Sequence, residues 1–369
     1  MRSILCCMPE PLKNLYTEAL IDNVGKAIAE NYPLFDQPGF KQKVFDEQWQ
    51  TRELKARMKH IAESLRPFLP DDYPHALQIL KTASEQFSGF EPMFFPAFAE
   101  LYGMDDFKAS IDALEHMTQF SSSELAVRPF IIRYGNRMMQ QMEVWAESDN
   151  EHVRRLASEG CRPRLPWAMA LPVFKKEPGP VLNVIEKLMQ DESEYVRRSV
   201  ANNLNDISKD NPEILIDLLQ THMGENDRTD WILKHASRTL LKQGHAEALQ
   251  LFGFQNPDHV EVTDLHVAAS VAFGNQLPFS FQLQTADEHL GQLRIEYAVD
   301  FMKANGKQAR KIFKVSEAYY SENCKTVSKS HSFKVITTRR YYAGKHDLAV
   351  IINGKQLAMV PFELIGEAA

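Results

Sequence analysis

Val153-Arg154-Arg155-Leu156-Ala157 returns as Val196-Arg197-Arg198-Ser199-Val200-Ala201 and, more weakly, as Ile232-Leu233-Lys234-His235-Ala236. The copies are offset by 43 and 36 residues. That is close to the period of HEAT-type units, in which two antiparallel helices make one repeat and neighbouring repeats stack. The first two copies follow acidic turns, Glu147-Ser148-Asp149-Asn150-Glu151 and Asp191-Glu192-Ser193-Glu194. Such turns suit the positive end of a helix. Working outward, apolar residues recur mostly at helical spacing from about residue 10 to 255, as in Leu54, Met58, Ile61, Ala62 and Leu65. Clusters such as Leu69-Pro70-Asp71-Asp72 separate the segments. The pattern predicts a curved α-solenoid of stacked helix pairs over residues 10–256.

Beyond Asn256-Pro257-Asp258 the pattern becomes alternating and β-branched, in Val260-Glu261-Val262, Phe281-Gln282-Leu283, Leu293-Arg294-Ile295-Glu296-Tyr297 and Phe333-Lys334-Val335-Ile336. A hairpin is expected at Asn353-Gly354. Six or seven short strands fit a β-sandwich of immunoglobulin type over residues 257–369. Residues 1–9 are expected to be a disordered extension, with Met8 itself reading like a start.

The chain has 369 residues, 44% of them hydrophobic and 25% charged, which is ordinary for a globular protein of more than one domain. Apolar runs such as Leu348 to Ile352 are far too short to cross a bilayer, and no secretory signal is evident, so the chain reads as soluble and cytoplasmic. Cys6, Cys7, Cys161 and Cys324 lack metal-ligand spacing and read as free thiols. His152, His222 and His235 have no companions at metal spacing. No glycine-rich phosphate loop or Gly-x-Ser-x-Gly elbow occurs, which disfavours metal, nucleotide and acyl-transfer enzymes. The net charge of −7 hides a segregation: residues 301–345 hold eleven Lys or Arg against Glu317 and Glu322, a surplus of nine, leaving −16 elsewhere.

The repeat alignment puts Arg155, Arg198 and Lys234 at equivalent positions, a ladder of cations suited to tracking phosphates or, more plainly, a solvated helix face. Carboxylates among such cations are more informative, because a DNA-facing surface repels acids without a task. Glu124, Glu159 and Asp206 stand out. Glu159 falls at the edge of the packed face, about 60° from Leu156 at 100° per residue, and Asp206 extends the stripe Arg198, Asn202, Asp206. Each can also be a structural ion pair or a helix cap. Trp167, in Arg162-Pro163-Arg164-Leu165-Pro166-Trp167, either plugs a gap between repeats or faces a ligand.

Ser123-Glu124-Leu125-Ala126-Val127-Arg128-Pro129-Phe130, the stretch from His152 to Trp167 and the stretch from Arg197 to Lys209 together closely resemble the AlkC-type DNA alkylation repair glycosylases. Weaker similarity extends over most of residues 8–250, and the C-terminal region resembles the immunoglobulin-like domain of one branch of that family. The resemblance implies a monofunctional DNA glycosylase that grips alkylated duplex DNA and releases N3-methylated bases, chiefly 3-methyladenine and 3-methylcytosine, without flipping the nucleotide. By motif position it implies Glu124 and Glu159 as active-site acids, Trp167 against the lesion sugar and Asp206 as a further acid. Arg128, Arg154, Arg155, Arg162, Arg164, Arg197, Arg198 and Lys234 would serve DNA binding. Loops of the β-domain carrying Lys325, Lys329, Arg339 and Arg340 would close a clamp on the DNA, or be merely a solubilising surface. No cofactor, metal or membrane is implied, and a monomer suffices. The competing readings are a non-enzymatic scaffold that binds protein or DNA, and a relative that kept the fold but lost the reaction.

Overall fold

The computed structural model describes residues 11–334 and 339–366. The expected extension at 1–9, with Cys6 and Cys7, and the Val335-Ile336 part of one expected strand lie outside the described residues. The helices are α1 (Glu18–Asn31), α2 (Gln37–Val44), α3 (Leu54–Leu65), α4 (Tyr73–Ser84), α5 (Phe94–Tyr102), α6 (Phe107–Met117), α7 (Val127–Tyr134) and α8 (Asn136–Trp145). They continue with α9 (Glu151–Gly160), α10 (Pro172–Lys176), α11 (Gly179–Leu188), α12 (Glu194–Ile207), α13 (Pro212–His222), α14 (Asp227–Ala236), α15 (Arg238–Gln243) and α16 (Ala246–Leu251). None of the described helices is long and apolar enough to cross a membrane.

The chain forms two compact units: one reaches Asn211 and includes His222–Ala236, and the other comprises Pro212–Thr221 with the chain from Ser237 onward. In the first unit the three recurring segments become α9, α12 and α14, and α12 packs between the other two. The helical repeat fold read from the sequence is therefore present. Each segment buries its apolar stripe, with Val153, Leu156 and Ala157 answered by Val196, Val200 and Leu204 and by Ile232, Leu233 and Ala236. Helix starts are fixed locally: the Asn150 side chain accepts from the His152 N–H at 2.9 Å, and Asp191 accepts from the Ser193 N–H at 2.8 Å.

In the second unit eight strands follow: β1 (Val260–Val267), β2 (Ser270–Ala272), β3 (Gln276–Thr285), β4 (Gly291–Met302), β5 (Gln308–Tyr320), β6 (Cys324–Ser332), β7 (Gly344–Ile352) and β8 (Lys355–Ile365). They pair as a three-stranded sheet, β1-β3-β6, and a five-stranded sheet, β2-β8-β7-β4-β5. The core takes alternate residues, with Phe279, Phe281 and Leu283 of β3 packed in one cluster with Ile295, Val299 and Val350. The expected hairpin joins β7 to β8, with φ of 44° at Asn353 and 79° at Gly354. Positive φ at both central residues is what a two-residue turn of this kind demands. A Cβ on Gly354 would lie 2.6 Å from the Gly244 Cα, so glycine is required there twice over. One expectation is corrected: Phe333 and Lys334 lie beyond the end of β6 and belong to no strand. The Phe333 side chain, fully buried, is nevertheless core.

His331 of β6 sits among Tyr297, Phe301, Phe313 and Phe333, its Nδ1 3.0 Å from the Tyr297 hydroxyl. Burial, with Arg339 and Lys311 adding to it, pushes its imidazole down to about 4. The unfolded chain binds this proton near pH 6.5, so between these values protons favour unfolding. Stability contributed by neutral His331 is complete above about pH 6.5 and is lost as pH falls towards 4, by an amount on the order of 3 kcal/mol. Urea titrations at pH 7 and 4.5 should show a loss that is largely absent in His331→Gln.

Candidate active site

The paired arginines of the recurring segment divide into two roles. Arg154 Nη1 donates to the carbonyls of Ser148 and Asp149, and Arg197 Nη1 donates to those of Asp191 and Glu192. Each therefore closes the turn before its own helix. Arg154 also pairs with Asp191 at 2.6 Å, tying one repeat to the next. The neighbouring Arg155 and Arg198, a further 100° around the helix, leave that turn. Arg198 is exposed and pairs with Glu194 at 2.5 Å, whereas Arg155 enters a dense network.

Within this network charges alternate without interruption. The Glu124 carboxylate accepts from the Ser122 hydroxyl at 2.9 Å and pairs through the same oxygen, Oε2, with Arg155 Nη1 at 2.5 Å. Arg155 Nη2 lies 3.6 Å from Glu159 Oε1, which accepts from Arg162 Nη1 at 2.6 Å. Glu159 Oε2 accepts from the Ser199 hydroxyl at 2.7 Å. Arg162 turns its Nε and Nη2 to Asp206 Oδ2, each at 2.9 Å, and Lys209 Nζ holds Asp206 Oδ1 at 2.9 Å. Burial alone would lower the Arg155 and Arg162 guanidiniums; Glu124 and Glu159 beside the first, and Glu159 and Asp206 beside the second, hold both above the ordinary arginine value.

The three acids differ in what they have left to offer. Glu159 and Asp206 are 5% and 2% exposed with both oxygens engaged. Glu124 is half-buried, and its Oε1 carries no hydrogen bond among the described residues. Tyr195 stands beside it on α12, with the Arg155 guanidinium 5.2 Å from its ring centre.

The loop after α9 presents Trp167, which is 59% exposed and whose backbone has φ of 64°. A non-glycine residue in the left-handed region costs about 1–3 kcal/mol and persists where its surroundings impose it. Here the imposition is visible. Lys55 Nζ donates to the Trp167 carbonyl at 2.6 Å, and Phe90 meets the indole edge-on at 6.1 Å. Arg128 braces the loop from beneath, donating to the carbonyls of Gly160, Arg162 and Met169 at 2.7–2.9 Å. Burial pushes its guanidinium down to about 10. At this exposure the ring is not a plug between repeats, one of the two readings of Trp167.

Glu124, Glu159 and Asp206 thus belong to one network, joined through Arg155 and Arg162. The cations expected to reach DNA do not share one fate. Arg128 has no exposed surface, Arg162 is 7% exposed and spent on two acids, and Arg154 and Arg197 are spent on turns. Arg164 forms a two-pronged pair with Asp210 at 3.0 and 2.6 Å. Arg198 and Lys234 are exposed. In the second unit Lys325 and Lys329 lie on β6 rather than on loops, because their segment pairs along its whole length with β3. Lys325 and Arg339 rest against the rings of Tyr320 and Phe301 at 4.7 and 4.2 Å, and Arg340 is exposed.

Sequence reasoning missed Ser122, Tyr195, Ser199 and Lys209. A signal for one of them exists. Ser199 stands where the first copy has Leu156, and with Asn203 and Asp206 it makes a buried polar row at i, i+4 and i+7 on a helix whose packed face should be apolar.

Residues 106–240 match the family described as DNA alkylation repair enzyme, and residues 261–366 match the C-terminal Ig-like domain of the uncharacterised protein YhaZ. YhaZ of Bacillus subtilis is 44% identical over 96% of this chain and 99% of its own length. The structure of the Pseudomonas fluorescens alkylpurine DNA glycosylase AlkC, bound to DNA containing an abasic site analogue, is 36% identical over 97% of this chain and all of that one, with a TM-score of 0.92. A helical repeat fold ending in an immunoglobulin-like sandwich, with this level of identity over nearly the full length of both relatives, places the chain in the DNA alkylation repair enzyme family, in its AlkC-type branch.

Proposed function

We propose that the protein is a monofunctional DNA glycosylase that hydrolyses the N-glycosidic bond of cationic N3-alkylated bases, 3-methyladenine and 3-methylcytosine, in duplex DNA without flipping the nucleotide. The observation that carries this reading is the Glu124 carboxylate, held by Ser122 and Arg155 through one oxygen and, among the described residues, unengaged at the other. Likeness to a relative bound to DNA containing an abasic site analogue supports DNA as the substrate.

The chemistry follows from the lesion. Methylation at N3 leaves the base cationic, so it departs as a neutral molecule and needs no proton from the enzyme. What remains is to stabilise positive charge growing on the deoxyribose and to aim a water at it. Glu124 Oε1 is the group for both tasks. Glu159 and Asp206, with their oxygens committed, act as positioning residues that hold Arg155 and Arg162 in register. Trp167 packs on the sugar and sheds bulk water. Water, and not an amine, is the nucleophile, since the network's lysine, Lys209, is held on Asp206.

Release of free methylated bases from methylated duplex DNA, resolved by chromatography against a no-enzyme control, tests the reading. Release of 3-methylated bases is the expected result. No release from folded protein that still binds DNA would leave a binding scaffold. Arg198, exposed and, among the described residues, paired within its own helix, serves the phosphates. Arg198→Ala should weaken binding across sequences and flatten the slope of log K against log salt by about 1, measured by fluorescence anisotropy.

A further inference from the structure

A cavity of about 510 Å³ is walled by Met58, Met93, Met169, Leu101, Leu125 and Pro96. Lys55, Lys59, Glu100 and Ser122 add its few polar groups. Size and make-up are those of a small-molecule site, mostly apolar with a few converging polar atoms. It adjoins the candidate active site on two sides. The Ser122 hydroxyl that bonds Glu124 belongs to a lining residue, and so do Ala168 and Met169, which directly follow Trp167. Lys55, at the same wall, holds the Trp167 carbonyl. Glu100 is half-buried without a hydrogen bond or ion pair among the described residues. Burial raises its carboxyl above the usual range, against the pull of Lys55 and Lys59.

We infer that this cavity binds the free N3-methylated adenine set loose by the reaction, an inference that rests on the glycosylase reading above. Once the bond is broken the base is neutral, flat and methylated, and its faces suit a wall of thioethers, which favour contact with aromatic rings. Its edge presents an amino donor beside a ring-nitrogen acceptor. Glu100 accepts from the first and the Lys59 ammonium donates to the second. 7-Methylguanine turns the O6 acceptor to the Glu100 carboxylate and a methyl group to Lys59, where adenine has its amino donor and its ring-nitrogen acceptor, so it meets both unfavourably.

Calorimetric titration of the whole protein with free 3-methyladenine, without DNA, tests this. One saturable site is expected, with 7-methylguanine bound at least about tenfold more weakly, since the mismatch at Glu100 alone is worth that much. Glu100→Leu should weaken 3-methyladenine by about tenfold or more for the same reason. Ala56→Trp, at an exposed position on the cavity wall where the fold is little at risk, should abolish binding. Equal binding by wild type and both variants, or no binding by a wild type that releases 3-methyladenine from DNA, would overturn the inference. Failure of the glycosylase reading looks different: no base leaves methylated DNA, whatever the titration shows.

Discussion

Glu124→Gln should lower the rate of base release by roughly 10²–10³-fold while DNA affinity changes by no more than about threefold. The amide keeps the shape of the carboxylate and still accepts from Ser122 and Arg155, the two contacts that position the side chain. What it removes is the negative charge on the unengaged oxygen. That charge acts on a sugar cation present only in the transition state, so the loss falls on turnover and not on binding. Single-turnover release of 3-methyladenine, with affinity measured separately on duplex DNA, separates the two. A variant that binds tenfold more weakly yet releases base at the wild-type rate would sink the role assigned to Glu124.

Glu159 was the acid that the helix geometry favoured, and the structure explains why position on a helix is a poor guide to the role. Its place at the edge of the packed face is as the spacing implies, and it is firmly held. The firmness consumes it: three neighbours, Arg155, Arg162 and Ser199, share its two oxygens. Its partner across the helix pair, Ser199, lies 40 residues away, and Arg162 meets Asp206 across 44. Such pairings exist only once repeats have stacked, so no local pattern reveals them. The fold itself was more legible. The 43-residue echo of Val-Arg-Arg survives because the turn-closing arginine and the apolar stripe solve the same packing problem twice.

Strands β5 and β6 show the opposite limit. β5 carries Arg310, Lys311 and Lys314, β6 is rich in Lys, Ser and Thr, and much of each is exposed, so the alternation that betrays β3 is blurred. The Asn353-Gly354 hairpin was plain because only a turn with φ > 0 at both residues calls for that dipeptide. The positive surplus of residues 301–345 was equally plain in number, but not in use. Arg310 is spent on Asp300 and Lys314 lies 3.7 Å from Glu317, which leaves Lys329 and Arg340 among the exposed cations for a ligand.

Arg162→Met should be the most destabilising of the changes considered, by about 3–5 kcal/mol, because it removes the one cation that two buried carboxylates share. Glu159 would be left with Ser199 and a more distant Arg155, and Asp206 with Lys209 alone. Neither remaining contact replaces a guanidinium seated between both acids. Lysine would not repair the site, since an ammonium is a compact point charge and cannot present the three N–H groups that reach Glu159 Oε1 and Asp206 Oδ2 together. Arg162→Lys should therefore fall between wild type and Arg162→Met in urea midpoint. The comparison also bears on catalysis. If Arg162 only positions, activity lost in Arg162→Lys should track the fraction of protein folded and the geometry of Glu159, and Arg162→Met combined with Glu159→Leu, which removes one of the two stranded charges, should regain stability without regaining base release. Recovery of release in that double variant would mean that Glu159 and Arg162 lie outside the catalytic machinery altogether.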